Sequence, residues 1–133
     1  MGGFHATHAL RLYDGRREAA HAHHWRVKVT VAAVRLDRIE VVMDFHALER
    51  KLAAVLGAWE GRDLGRVAPF AGRDGARGIN PSAERVAAWV GAQVGAGLPR
   101  GVRLAGVEVE EEPGCVAGFV PGAAGRKRKR IGG

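Results

Sequence analysis

From residue 21 to residue 31 the side chains alternate by class. His21, His23, Trp25, Val27, Val29 and Val31 share one parity, while His24, Arg26, Lys28 and Thr30 share the other. A period of two is the repeat of an extended chain whose successive side chains point to opposite faces, so the run predicts a strand with one apolar face. Two histidines open that face. A strand of this kind needs neighbours to pair with and a layer to cover it, which excludes an all-helical chain.

The same period recurs earlier. Phe4, Ala6, His8, Leu10 and Leu12 alternate with His5, Thr7 and Arg11, which predicts a first strand with His8 on its apolar side. Asp14-Gly15 marks a turn between the two strands. The second strand is expected to run to about Leu36, turn at Asp37-Arg38 and return as a third strand, Ile39 to Met43. Asp44 then stands where a helix N-cap belongs, ahead of Leu48, Leu52, Val55, Leu56 and Trp59 at helical spacing, with the helix ending near Gly57.

Residues 60–79 are rich in glycine and arginine and read as a long loop. Asn80-Pro81-Ser82-Ala83-Glu84 predicts a second helix start, with Asn80 as cap and Pro81 at the first helical position, and Ala83, Val86, Val90 and Val94 facing inward. Val102 to Glu112 and Cys115 to Val120 complete the pattern as two strands around Pro113-Gly114. The expectation is an α+β domain over residues 1–121: an antiparallel sheet with two helices on one face. Its open edges favour oligomerisation.

The 133 residues suffice for one core. Of the formal charge of +7, five units come from Arg126, Lys127, Arg128, Lys129 and Arg130, leaving +2 for the remainder. Residues 122–133 are therefore expected to form a disordered basic tail on a nearly neutral body, and nucleic-acid binding is not expected without interleaved aromatics. The sequence has no apolar run of membrane-spanning length and opens without the features of a signal peptide, so a cytoplasmic location is expected. Cys115 is the single cysteine, so a metal would be held by histidine and carboxylate.

Histidines two apart on a strand stand about 6.6 Å from each other and can converge on one tetrahedral ion. His21 and His23 meet that condition, and pairing of the first two strands lets His8 complete a three-nitrogen set with an open fourth position, the arrangement of a catalytic zinc. Each histidine taken alone also fits an ordinary hydrogen-bonded residue. His5, His24 and His46 lie on the other parity or on the helix and are read as non-ligands, with His24 a candidate substrate contact.

Five segments in this order resemble one known family, the 6-pyruvoyltetrahydropterin and 6-carboxytetrahydropterin synthases. Phe4-His5-Ala6-Thr7-His8 is similar to its FxAxH, His21-Ala22-His23 to its HGH, Val42-Met43-Asp44-Phe45 to its MxDF, Asn80 to Glu84 to its NPTAE, and Val107 to Glu112 to its closing strand. The resemblance implies the tunnelling fold, with subunits closing into a barrel as trimers or hexamers and an active site at the subunit boundary. It implies His8, His21 and His23 as zinc ligands and Glu111 as the carboxylate that accepts two N–H bonds from the pterin edge.

The chain also departs from that pattern. Arg17 stands where the family has a catalytic cysteine four residues before the first HGH histidine. A variant subgroup carries ExxHGH instead, which matches Glu18-Ala19-Ala20-His21-Ala22-His23 and makes Glu18 the candidate general base. The family's DHxxLN falls on Glu60-Gly61-Arg62-Asp63-Leu64-Gly65, without its histidine, so Glu60, Asp63 or His24 would have to substitute. The function implied is a zinc-dependent lyase acting on dihydroneopterin triphosphate or a related pterin, with Arg62, Arg66, Arg73 and Arg77 available to a triphosphate. The alternatives are the same metal site turned to another substrate, and a non-catalytic metal- or nucleic-acid-binding module.

Overall fold

A computed structural model describes residues 1–72 and 78–122. Arg73, Arg77 and the basic run from Arg126 to Arg130 lie outside the described residues. Five strands and two helices follow in the order β1 (Gly2–His8), β2 (His21–Ala33), α1 (Phe45–Gly57), β3 (Arg62–Asp63), α2 (Ala83–Gly95), β4 (Val102–Glu112) and β5 (Cys115–Phe119). They form one sheet in the order β3-β1-β2-β4-β5, antiparallel except where the two residues of β3 run parallel to β1.

The alternation in β2 is realised as read. Trp25 and Val27 are fully buried, whereas His24, Arg26 and Lys28 face away from the helices. β1 contributes Phe4, Ala6 and His8 to the same buried face, and β4 contributes Val107 and Val109. Phe4 stacks on Trp25 across the strands, with ring centroids 5.5 Å apart and planes 8° apart. Burial of aromatic surface on this scale is a dominant stabilising term in a core of this size.

Both helices cover that one face. α1 starts where Asp44 accepts a hydrogen bond from His46 N at 2.8 Å, and it buries Leu48, Leu52 and Leu56 against β1 and α2. α2 lies over β4 and β5 and buries Val86, Val90 and Val94. Gly91 lets it approach the sheet, because a Cβ there would stand 2.8 Å from the Phe119 ring.

Three details differ from the sequence reading. No third strand forms at residues 39–43; the Asp37 carboxylate accepts hydrogen bonds from Ile39 N and Val41 N, which closes a turn and leaves Ile39 and Val41 exposed. The cap of α2 is Ser82, whose side chain accepts from Arg85 N, and Pro81 precedes the helix. Asn80 instead clamps the chain at Arg11, accepting from Arg11 N and donating to Arg11 O. The long loop also holds structure: β3, a 3₁₀ turn at Leu64–Arg66, and the core residues Leu64 and Phe70.

Candidate metal centre

His8 is the only buried titratable residue among the described residues, at 1% exposure. It ends β1 directly opposite His21, with His23 two pairs further along the ladder opposite Ala6. The three rings meet edge to face. Centroids are 4.7 Å apart for His8 and His21, 5.3 Å for His8 and His23, and 4.6 Å for His21 and His23. Each offers one nitrogen, and these atoms all lie within 4.8 Å of one another, so the three could hold a metal ion.

Hydrogen bonds decide which nitrogens are free. His8 Nδ1 lies 2.8 Å from the Pro81 carbonyl oxygen, which can only accept, so the ring carries its proton on Nδ1 and presents a lone pair at Nε2. His21 Nε2 donates to Glu18 Oε1 at 2.9 Å, which leaves His21 Nδ1, 2.6 Å from His23 Nε2. Carbonyl and carboxylate partners behind imidazoles are the usual means of fixing a metal ligand's tautomer.

Glu111 closes the group. It shares the parity of Val107 and Val109 and sits at an irregularity in the β4–β5 pairing, between Glu110 and Glu112. Its Oε2 lies 3.4 Å from His8 Nε2, and both atoms are buried with no hydrogen-bond partner. Two lone pairs facing each other out of water repel, and each unsatisfied polar atom costs about 1–3 kcal/mol. A cation removes that conflict, as would a proton on His8. The convergence of His21 and His23 on the same place fits a cation better, and an all-nitrogen set beside a carboxylate suits zinc.

Glu18 ties the chain just past β1 to the first residue of β2, with Oε1 accepting from Leu10 N at 3.0 Å as well as from His21. The His21 hydrogen bond, then that from Leu10, holds its carboxyl below the ordinary glutamate range, so it is ionised at neutral pH. The structure thus brings Glu18, Glu111 and the three histidines together.

It does not bring Glu60, Asp63 and His24 to them within one subunit. Glu60 binds His5, accepting from its backbone N at 2.7 Å and facing its Nδ1 at 3.1 Å. His5 stacks on His24 at 4.3 Å, on the opposite face of the ladder. Asp63 caps the 3₁₀ turn by accepting from Gly65 N. His46 is exposed on α1. The sequence reading missed the Pro81 carbonyl, a backbone group with no side-chain signature, although Pro81 itself lies in a noted motif.

No helix among the described residues is long and apolar enough to cross a membrane. The family model for 6-pyruvoyl tetrahydropterin synthase matches residues 2–121. No curated protein sequence matches the chain. Among solved structures, the chain is similar to the 6-pyruvoyl tetrahydropterin synthase of Caenorhabditis elegans, with a TM-score of 0.71 and 19% identity over 91% of each chain. It is also similar to that of Plasmodium vivax, with a TM-score of 0.68 and 17% identity over 88% of this chain and 90% of that one. A further match is a Plasmodium vivax variant in which a catalytic glutamate is replaced by alanine, at a TM-score of 0.68 and 16% identity over 88% and 90% of the two chains. The sheet and helices are therefore those of the tunnelling fold, and the chain belongs to the 6-pyruvoyl tetrahydropterin synthase family.

Proposed function

We propose that the chain is a zinc-dependent lyase of the pterin synthase type, acting on dihydroneopterin triphosphate or a related pterin. The observation that carries this reading is the buried, unpartnered pair His8 Nε2 and Glu111 Oε2 beside two further histidines. Such a group is satisfied by a cation and a ligand together. His8, His21 and His23 would hold zinc, which when bound supplies a Lewis acid for side-chain hydroxyls.

The chain's own residues divide the remaining work. Pro81 O and Glu18 hold the His8 and His21 rings in their ligating tautomers. Glu111 offers a carboxylate to a pair of ring N–H donors, and its partial burial excludes competing water. Glu18 keeps its negative charge at neutral pH, and its Oε2, outside the hydrogen bonds made by Oε1, is the atom that would accept a proton from substrate. A catalytic glutamate in the Plasmodium vivax relative supports that role. Glu60, Asp63 and His24 would enter only from a neighbouring subunit, in a trimer or hexamer closed along the open sheet edges. Residues 1–121 form the catalytic domain in this reading, in the cytoplasm, with 122–133 as an appended basic tail.

Purified protein supplied with zinc and dihydroneopterin triphosphate should shorten or remove the pterin side chain. Unchanged substrate, with zinc bound at one ion per chain, would exclude that substrate. A second reading, the same metal site turned to a different substrate, draws on Arg17 in place of the family's thiol and on the distance of Glu60 and Asp63 from the triad. Ligands without a pterin ring that raise thermal stability only when zinc is present would support it.

A further inference from the structure

We propose that Arg11 and Arg17 form an anion subsite that receives a phosphoryl group carried by the molecule bound at the histidine centre. The inference deepens the functional reading above and rests on it for the substrate, though not for the existence of the subsite.

The chain between β1 and β2 folds back on itself as a small hairpin. Arg11 and Arg17 are bridged antiparallel partners, Leu12 N donates to Arg16 O, and Gly15 makes the turn with a φ of 88°. Like charges directly opposite across strands repel. Carboxylates nearby are engaged elsewhere: Asp14 pairs with Arg16 at 2.6 Å, and Asp63 faces Arg66 at 3.7 Å. Among the described residues, neither Arg11 nor Arg17 has a carboxylate within 4.0 Å.

Arg11 is fixed in place. Asn80 holds its backbone from both sides, and its Nη1 donates to Gly78 O at 3.1 Å, leaving its other guanidinium N–H groups for a ligand. Both arginines line a cavity of about 350 Å³ with Gly65, Gly78, Asn80 and Pro81. Two of its lining residues lead to the histidine centre: Pro81, whose carbonyl accepts from His8 Nδ1 at 2.8 Å, and Arg17, which is bonded in sequence to Glu18, the acceptor for His21. Two guanidinium groups on a polar wall match a phosphoryl dianion with parallel N–H···O bonds, and match a single carboxylate less well.

The test is titration of the full chain with inorganic pyrophosphate, with zinc present and again after chelation, using citrate as the carboxylate comparison. Elemental analysis of the same samples gives the metal content. Variants are Arg11→Gln, Arg17→Gln, and a chain with Arg126, Lys127, Arg128, Lys129 and Arg130 all changed to glutamine. Arg17 is exposed on the hairpin, so its variant keeps its fold, which an unchanged melting curve verifies. The expected result is saturable pyrophosphate binding at one site, weakened about tenfold or more by either single substitution under both metal conditions, retained in the tail variant and stronger than citrate binding. Binding unchanged by Arg17→Gln, binding lost with the tail charges, or citrate bound as tightly as pyrophosphate would overturn the subsite. Absence of stoichiometric metal with the pyrophosphate pattern intact would instead remove the zinc reading and leave the subsite standing.

Discussion

His5 and His8 stand three residues apart on β1; each meets histidine on β2, and each faces a glutamate carboxylate. On the outer face, His5 stacks flat on His24 with planes 11° apart, and Glu60 answers both its ring and its backbone N. Those side chains are 67% and 52% exposed, so water completes whatever the protein leaves unmade. On the inner face, His8 is 1% exposed and its rings cross edge to face, with a nitrogen and a carboxylate oxygen left unpartnered. The two groups use the same residue types, two histidines and a glutamate outside and three histidines with Glu18 and Glu111 inside. Burial makes one a satisfied surface pair and the other a site that needs a ligand.

The sharpest break in that comparison is a single alanine on each face. His8→Ala should lower zinc affinity by more than about 100-fold, beyond the loss expected for an outer partner, whereas His5→Ala should leave it unchanged. Equilibrium dialysis with elemental analysis reads both. Equal losses from the two substitutions would mean that the faces do not differ as described. Zinc itself gives the next largest effect: at 100 times the wild-type dissociation constant it should stabilise the wild-type fold by about 2.7 kcal/mol and the His8→Ala chain by no more than about 0.4 kcal/mol. Denaturant titration with and without the metal measures this.

The carboxylates sharpen the contrast further. Glu18→Gln keeps the size of the side chain but removes the charge behind His21, and should weaken zinc by about 10–100-fold. Glu60→Gln makes the equivalent change behind His5 and should not alter metal binding at all. If Glu18→Gln bound zinc normally but lost turnover, Glu18 would act on substrate alone and not as support for the ligand.

Much of the inner face was legible because its code is periodic. Alternation over β1 and β2 set His8, His21 and His23 on the side of Phe4, Trp25 and Val27, whereas Glu111 was reached through the resemblance of the closing strand and not through its own parity. Helix α1 followed from Asp44 and its leucines. What escaped were features without a period. β3 is two residues long and paired in parallel, so no alternation could reveal it. Ile39 and Val41 have the composition of a strand, but the Asp37 side chain competes for their N–H groups and wins locally. Asn80 looked like a helix cap because its residue type suits one, and only the tertiary contact with Arg11 shows what it binds. The separation of Glu60 from the triad was invisible for the same reason: sequence gives the position after α1, not the face of the ladder it reaches.

The smallest effect belongs to the outer pair. The His5 ring, and then its backbone N–H, hold the Glu60 carboxyl below its ordinary range. A folded-state value below the unfolded one, about 4.3, means that the interaction adds stability above that pH and loses it as pH falls through the lower folded value. Wild type should therefore melt slightly higher than Glu60→Gln near neutrality, and the two curves should converge under strongly acidic conditions. Because both partners are exposed, screening keeps the gap small, and raising the salt concentration should narrow it further. A gap that widened on acidification would place Glu60 in a buried network, and the outer face could then no longer serve as the solvated counterpart of the histidine centre.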